Sequence, residues 1–257
     1  MLKIIPVPAF NDNYLWLFHR SGSNRAYVVD PGDARPVEQA LEHYGLELVG
    51  MLITHHHADH TGGIDALQKG RNIPVYGPHS ANIDNVTQPL SEGDRLSLKD
   101  DISFEVLEVP GHTLDHIAFH CPDEAVLFCG DTLFAGGCGR MFEGEPKQMQ
   151  ASLAKLAHLP PQTRVFCAHE YTQSNLAFAQ AVEPLNEALK NRVEETLNKR
   201  AQGLATVPSL LQQELASNPF LRVSEVSVID AAKKHSNREV TEPWEVFAVL
   251  RGWKDNF

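Results

Sequence analysis

The sequence predicts an α/β region followed by a helical one. Three observations carry that expectation. Strand-like runs alternate with amphipathic helical segments over the first two thirds of the chain. Four of those runs hand over directly to histidine or aspartate. Past His169 strand signals largely stop and helical periodicity takes over.

Residues 14–18 and 26–30 are rich in strand formers, and Pro31-Gly32-Asp33 turns the chain. Val37, Ala40, Leu41 and Tyr44 recur at helical spacing, and Gly45 stops that helix. Residues 48–53 form an apolar run that reads as a buried strand. Ile64 and Leu67 suggest a short helix, and 73–76 another strand. Residues 95–98 and 102–109 predict a hairpin turning at Lys99-Asp100-Asp101. Strands follow at 116–121, 125–129 and 163–168, with a helix over 148–158 carrying Met149, Leu153 and Leu156 on one face. Segments 171–182, 185–202, 208–216 and 242–251 read as helices, which places a boundary near residue 172: residues 1–172 as the α/β region, 173–257 as the helical one.

A hydrophobic content of 42% against 21% charged residues, in 257 residues, predicts a packed core rather than disorder. No apolar run is long enough to span a membrane, and the N-terminus lacks the pattern of a signal peptide, so a cytoplasmic location is expected. Cys121, Cys129, Cys138 and Cys167 form no Cys-x-x-Cys pair and read as reduced core residues. A net charge of −11 disfavours nucleic-acid binding, and any pocket for an anion must then be a local basic patch. The chain is expected to act as a monomer on a small molecule, with no membrane partner.

The run Thr54-His55-His56-His57-Ala58-Asp59-His60 sits where the 48–53 strand ends and a helix begins. The 102–109 strand leads to His112, the 125–129 strand to Asp131, and the 163–168 strand to His169. Imidazole and carboxylate are the ligands of hydrolytic zinc and related first-row ions. Seven candidates (His55, His57, Asp59, His60, His112, Asp131 and His169) exceed what one tetrahedral ion needs, so two divalent ions are expected. Spacing suggests His55, His57 and His112 on one ion, Asp59, His60 and His169 on the other, and Asp131 bridging. Two such ions share a water, lower its pKa and polarise a carbonyl, so Asp59 and Asp131 also count as catalytic. Zinc is the first choice; iron and manganese suit the same ligands. His56 should point away from its neighbours, and His116 reads as a supporting group. No Gly-x-Ser-x-Gly elbow, P-loop or dinucleotide fingerprint competes for the site.

The four motifs Thr54-His55-x-His57-x-Asp59-His60, Gly111-His112-Thr113, Gly130-Asp131-Thr132 and Ala168-His169-Glu170 together resemble the metallo-β-lactamase superfamily. More narrowly, the chain resembles the glyoxalase II family of hydroxyacylglutathione hydrolases. That likeness runs from Pro8-Ala9-Phe10-Asn11-Asp12-Asn13-Tyr14 to Lys254-Asp255-x-Phe257 and includes Gly137-Cys138-Gly139-Arg140 and Asn218-Pro219-Phe220-Leu221-Arg222. It implies an αββα sandwich with a C-terminal helical domain that binds glutathione. It implies hydrolysis of the thioester of S-D-lactoylglutathione to glutathione and D-lactate, in methylglyoxal detoxification, and it supports the ligand split above. It also implies that Arg140, Tyr171, Arg251 and Lys254 contact glutathione. Phe142 lines the same place, where some members carry a tyrosine. Two further departures are Asp115, where a glycine is common, and Glu145, where a threonine is frequent.

Rival readings are a mononuclear-iron persulfide dioxygenase of the same superfamily, a flavodiiron-type protein, a zinc phosphodiesterase and a non-catalytic binding module. His57 stands against the flavodiiron reading, the net charge against the phosphodiesterase, and retention of all seven ligands against the binding module.

Overall fold

The computed structural model describes residues 1–257. The chain forms two compact units, one of residues 1–108 with 115–130, the other of residues 109–114 with 131–257.

In the first unit the elements run β1 (Leu2–Ala9), β2 (Asn13–Arg20), β3 (Arg25–Val29), α1 (Ala34–Tyr44), β4 (Glu47–Leu52), α2 (Ala58–Thr61), α3 (Ile64–Gln68), β5 (Val75–Pro78), β6 (Gln88–Leu90), β7 (Arg95–Leu98), β8 (Ile102–Glu108), β9 (Ile117–Cys121) and β10 (Val126–Gly130). Strands β1 to β6 form one mixed sheet in sequence order; β1–β2 and β2–β3 are antiparallel, and the pairs from β3 to β6 are parallel. Strands β7 to β10 form an antiparallel meander. Phe18 of β2 meets Phe104 of β8 and Phe128 of β10 with ring centroids 5.6 and 5.5 Å apart, so the two sheets share an aromatic core. The other face of the first sheet is covered by Val37 and Leu41 of α1 and by Ile64 and Leu67 of α3. Asp33 caps α1 through its side chain, and Gly45 ends it in the left-handed conformation at φ 64°.

Strand β1 carries no expectation from the sequence, because Pro6 and Pro8 interrupt its pattern. It lies at the edge of the sheet, where a missing N–H on the outer side costs no ladder bond. The strand expected at 73–76 forms two residues later, as β5.

The second unit holds β11 (Leu133–Phe134), β12 (Gly137–Cys138), α4 (Pro146–Ala157), β13 (Arg164–Cys167), α5 (Thr172–Val182), α6 (Glu187–Ala201), β14 (Ser209–Leu210), α7 (Leu211–Ser217), α8 (Val226–Ser236) and α9 (Pro243–Asp255). The helix expected at 208–216 is a two-residue strand, paired with β13, followed by α7. Helix α8 was not expected from the sequence. Phe178 of α5 anchors the unit: it contacts Phe220, Trp253 and Phe257 with centroids 5.9, 5.4 and 5.4 Å away. No helix is long and apolar enough to cross a membrane.

Candidate metal centre and substrate cleft

In the first unit, parallel pairing of β3 with β4 sets Val29 opposite Leu52, so the residues just past both strands lie side by side. Asp30, at φ 50°, stands in the left-handed region, which aspartate tolerates better than most residues. Its Oδ1 accepts the Thr54 N–H at 2.7 Å and its Oδ2 accepts the Thr54 hydroxyl at 2.7 Å. Because that hydroxyl proton is committed to Asp30, Thr54 Oγ1 accepts from His55 Nδ1 at 3.0 Å. Asp30 Oδ2 also accepts from His60 Nδ1 at 3.0 Å. Both rings thus carry their proton on Nδ1 and keep the Nε2 lone pair for an ion. Gly130, at φ 47°, leaves room for this arrangement: a Cβ there would lie 2.4 Å from Thr54 Oγ1 and 2.9 Å from the His116 ring.

His57 stands at the N-cap position of α2, a single turn that carries Asp59 and His60. His55 Nε2 and His57 Nδ1 approach to 3.1 Å, and His60 Nε2 lies 3.5 Å from Asp59 Oδ2. Asn13 Nδ2 donates to Asp59 Oδ2 at 3.0 Å. His56 turns to Asp115, its Nδ1 2.9 Å from Oδ2. His116 is buried and stacks on His55 with centroids 4.5 Å apart.

The second unit assembles the other three candidates. Asp131 Oδ2 lies 3.4 Å from His112 Nε2 and 3.3 Å from His169 Nε2, so one carboxylate oxygen stands between two imidazoles. His112 Nδ1 donates to the Arg140 carbonyl at 2.6 Å, which again leaves Nε2 as the donor to an ion. Tyr171 stacks on His169 at 4.7 Å and 5°. Gly139 lets the chain pass close: a Cβ there would lie 1.9 Å from the Asp131 carbonyl oxygen.

Two donors bound at ordinary bond lengths to one small divalent ion sit about 3–3.5 Å apart. The pairs within each unit have that spacing, and His55, His60 and His112 carry their protons on the nitrogens turned away from it. Donor type, spacing and tautomer therefore fit a divalent ion. Asp30, His55 and His60 also group within 4.8 Å. Asp30, however, meets the Nδ1 side of His60, so it orients that ring rather than competing for its Nε2.

A cleft of about 400 Å³ in the second unit has His112 and Asp131 in its wall. Arg140, Phe142, Tyr171, Arg251 and Lys254 line it, as do Cys138, Ser174 and Asn175. Lys254 and Asp255 follow Arg251 by three and four residues at the end of α9, so both neighbour it on the helix surface. Arg251 is 5% exposed; its Nη1 donates to the Cys138 carbonyl at 3.0 Å, and its guanidinium lies 5.2 Å from the Phe220 ring centre. Lys254 Nζ donates to the Ser174 carbonyl at 3.3 Å. Burial, helped by the charge of Arg251, holds the Lys254 pKa below the usual lysine range. Phe142 is 63% exposed and packs edge-on against His112 at 5.3 Å.

The hairpin β11–β12 that delivers Cys138 and Arg140 to this cleft is tied from below. Glu214, fully buried, accepts from Gly136 N at 2.8 Å, from Arg192 Nη1 at 3.0 Å and from Asn218 Nδ2 at 3.2 Å. Asn218 Nδ2 also reaches the Gly137 carbonyl at 2.9 Å. All four cysteines are free and buried; burial pushes the Cys138 thiol up to about 11 and the Cys167 thiol up to about 12, so neither offers a thiolate near neutrality.

Asp30, Asn13, Asn175, Glu214 and Asp255 were missed from sequence alone. Asp30 had a readable signal, since it follows a strand as the four expected sites do. The others meet their partners only through packing.

Comparison with known proteins agrees with the geometry. Residues 13–169 match the family model of the metallo-beta-lactamase superfamily, and residues 170–257 match that of the hydroxyacylglutathione hydrolase C-terminus. The chain is 52% identical over 259 residues to a hydroxyacylglutathione hydrolase of Pseudomonas paraeruginosa, covering 100% of both chains. It is 49% identical to that of Idiomarina loihiensis, covering 99% of this chain and 100% of the relative. Among solved structures, the BLEG-1 B3 metallo-beta-lactamase superposes with a TM-score of 0.64 at 24% identity, over 86% of this chain and 99% of that one. TTHA1623, solved in a di-iron-bound form, gives 0.54 at 31% identity over 65% and 91%. With a metallo-β-lactamase fold, paired imidazole–carboxylate donors and a C-terminal helical region matched to its last residue, this chain belongs to the hydroxyacylglutathione hydrolase family of the metallo-β-lactamase superfamily.

Proposed function

We propose that the chain hydrolyses the thioester of S-D-lactoylglutathione to glutathione and D-lactate. The observation that carries this reading is a cleft with three cations, Arg140, Arg251 and Lys254, and two candidate metal ligands, His112 and Asp131, in one wall. In a chain of net charge −11, such a local basic patch answers the two carboxylates of a glutathione peptide.

The reading assigns His55, His57 and His112 to one divalent ion and Asp59, His60 and His169 to a second, with Asp131 common to both. The relative that binds two irons supports a pair of ions, and zinc, iron or manganese would each suit the donors. When bound, such ions would acidify a shared water and polarise the thioester carbonyl. The chain's own groups do the rest. Arg140, Arg251 and Lys254 bind the glutathione carboxylates and fix the thioester against the histidines. Asp59, held by Asn13, accepts a hydrogen bond from the attacking water and orients it. Water gives a proton to Asp59 as it adds to the carbonyl carbon, the C–S bond breaks, and the departing thiolate takes that proton up to leave as glutathione. The protonated, buried Cys138 takes no covalent part. The same reading divides the chain near residue 172 and has it act as a monomer in the cytoplasm.

The test is metal analysis of the purified protein beside an assay with S-D-lactoylglutathione. Turnover that tracks about two divalent ions per chain is expected. An inert thioester, together with oxygen uptake on glutathione persulfide, would make the chain a dioxygenase instead.

A further inference from the structure

The only carboxylate touching the cationic wall of the cleft comes from the end of α9. Asp255 Oδ1 accepts from Arg140 Nε at 3.2 Å and from Arg251 Nη2 at 3.1 Å, so one oxygen serves both arginines. Asp255 is the last residue of α9, where a carboxylate meets the negative end of the helix dipole. The helix does not favour it there; the two arginines hold it.

The contact is exposed enough to exchange. The side chains of Arg140 and Asp255 are 58% and 33% accessible, whereas the structural pair Arg192–Glu214 is 4% and 0%. Arg251 does not depend on Asp255 for its place, since the Cys138 carbonyl and the Phe220 ring also hold it. Its buried Nε has no hydrogen-bond partner and remains a donor for a ligand.

We propose that Asp255 is a specificity-determining residue: an internal carboxylate that engages Arg140 and Arg251 in the cleft and must yield to a carboxylate of the incoming ligand. It rests on the reading that the cleft takes the glutathione part of the substrate. Asp255 then weakens the binding of anionic substrate and product alike, and it favours release of the product by reclaiming the arginines.

The test compares the metal-loaded parent with Asp255→Asn and Asp255→Glu. In Asp255→Asn, KM for S-D-lactoylglutathione and the inhibition constant of glutathione should both fall by roughly five- to tenfold, while kcat does not rise. The salt dependence of KM should steepen, because the cleft gains net positive charge. Asp255→Glu should restore parental values. A thioester without carboxylates, S-acetyl-N-acetylcysteamine, should show no change between parent and variants. An unchanged or raised KM in Asp255→Asn, or an equal change with the uncharged thioester, would make Asp255 a brace for the helix end and overturn the proposal. Binding of S-hexylglutathione separates the two levels. A parent that does not bind it overturns the functional reading and this inference with it; a parent that binds, with an Asp255→Asn variant that binds no tighter, overturns this inference alone.

Discussion

Asp30 Oδ2 accepts the Nδ1 proton of His60 at 3.0 Å while the same carboxylate holds both the backbone and the hydroxyl of Thr54. One buried side chain thereby sets the tautomer and aim of His60 directly, and of His55 through Thr54. Asp30→Asn keeps the size and the tolerance of φ 50° but loses one acceptor. Metal affinity should fall about 10–100-fold with the fold retained, as read by competition with a chelator and by circular dichroism. Unchanged affinity would remove Asp30 from the site.

Asp131 stands 3.4 and 3.3 Å from the Nε2 atoms of His112 and His169 through one oxygen. Asp131→Ala should lose bound metal and thioester turnover together. Full turnover with the metal content intact would refute its role as the common ligand.

Arg251→Ala and Lys254→Ala remove charges that act on binding, remote from the bond that breaks, so KM should rise by about 10-fold or more with kcat little changed. A kcat collapse at constant KM would contradict this. Burial holds the Lys254 pKa below the usual lysine value, so the cation is lost as pH rises, earlier than for a surface lysine. KM should therefore climb on the alkaline side, and Lys254→Ala should flatten that limb.

Glu183 is buried, which alone would push its pKa up, but hydrogen bonds from Arg222 and Ser227 outweigh burial and hold it below the usual 4.5. A depressed folded pKa contributes stability that is present above the unfolded value and lost as pH falls through the folded one. Urea unfolding should show Glu183→Gln costing about 1–3 kcal/mol near neutrality and progressively less in acid. A cost independent of pH would place the effect in packing rather than charge.

Much of the site was legible because its signals are local. A β-branched or apolar run ends, a small residue (threonine, glycine or alanine) follows, and a histidine or aspartate comes next; that grammar pointed to His55, His112, Asp131 and His169 without any knowledge of neighbours. The cationic residues of α9 were legible only through family likeness, since Arg251 and Lys254 alone read as ordinary terminal charges. Helix α8 stayed hidden because its apolar residues Val226, Val228, Ile229 and Ala232 are interleaved with charge and follow a loop. The hairpin β11–β12 stayed hidden because two-residue strands carry no periodicity.

By itself, then, the sequence determined the class of fold, the seven metal-binding candidates and the chemistry they suit, because ligand type and strand exit are properties of short stretches. The tertiary structure decided which groups orient those ligands and which carboxylate meets the cations of the cleft. Asp30 reaches Thr54 through parallel pairing of β3 and β4, and Asp255 reaches Arg140 across 115 residues of chain. Such partners are chosen by register and packing, which bring together side chains whose separation along the chain carries no trace of their contact.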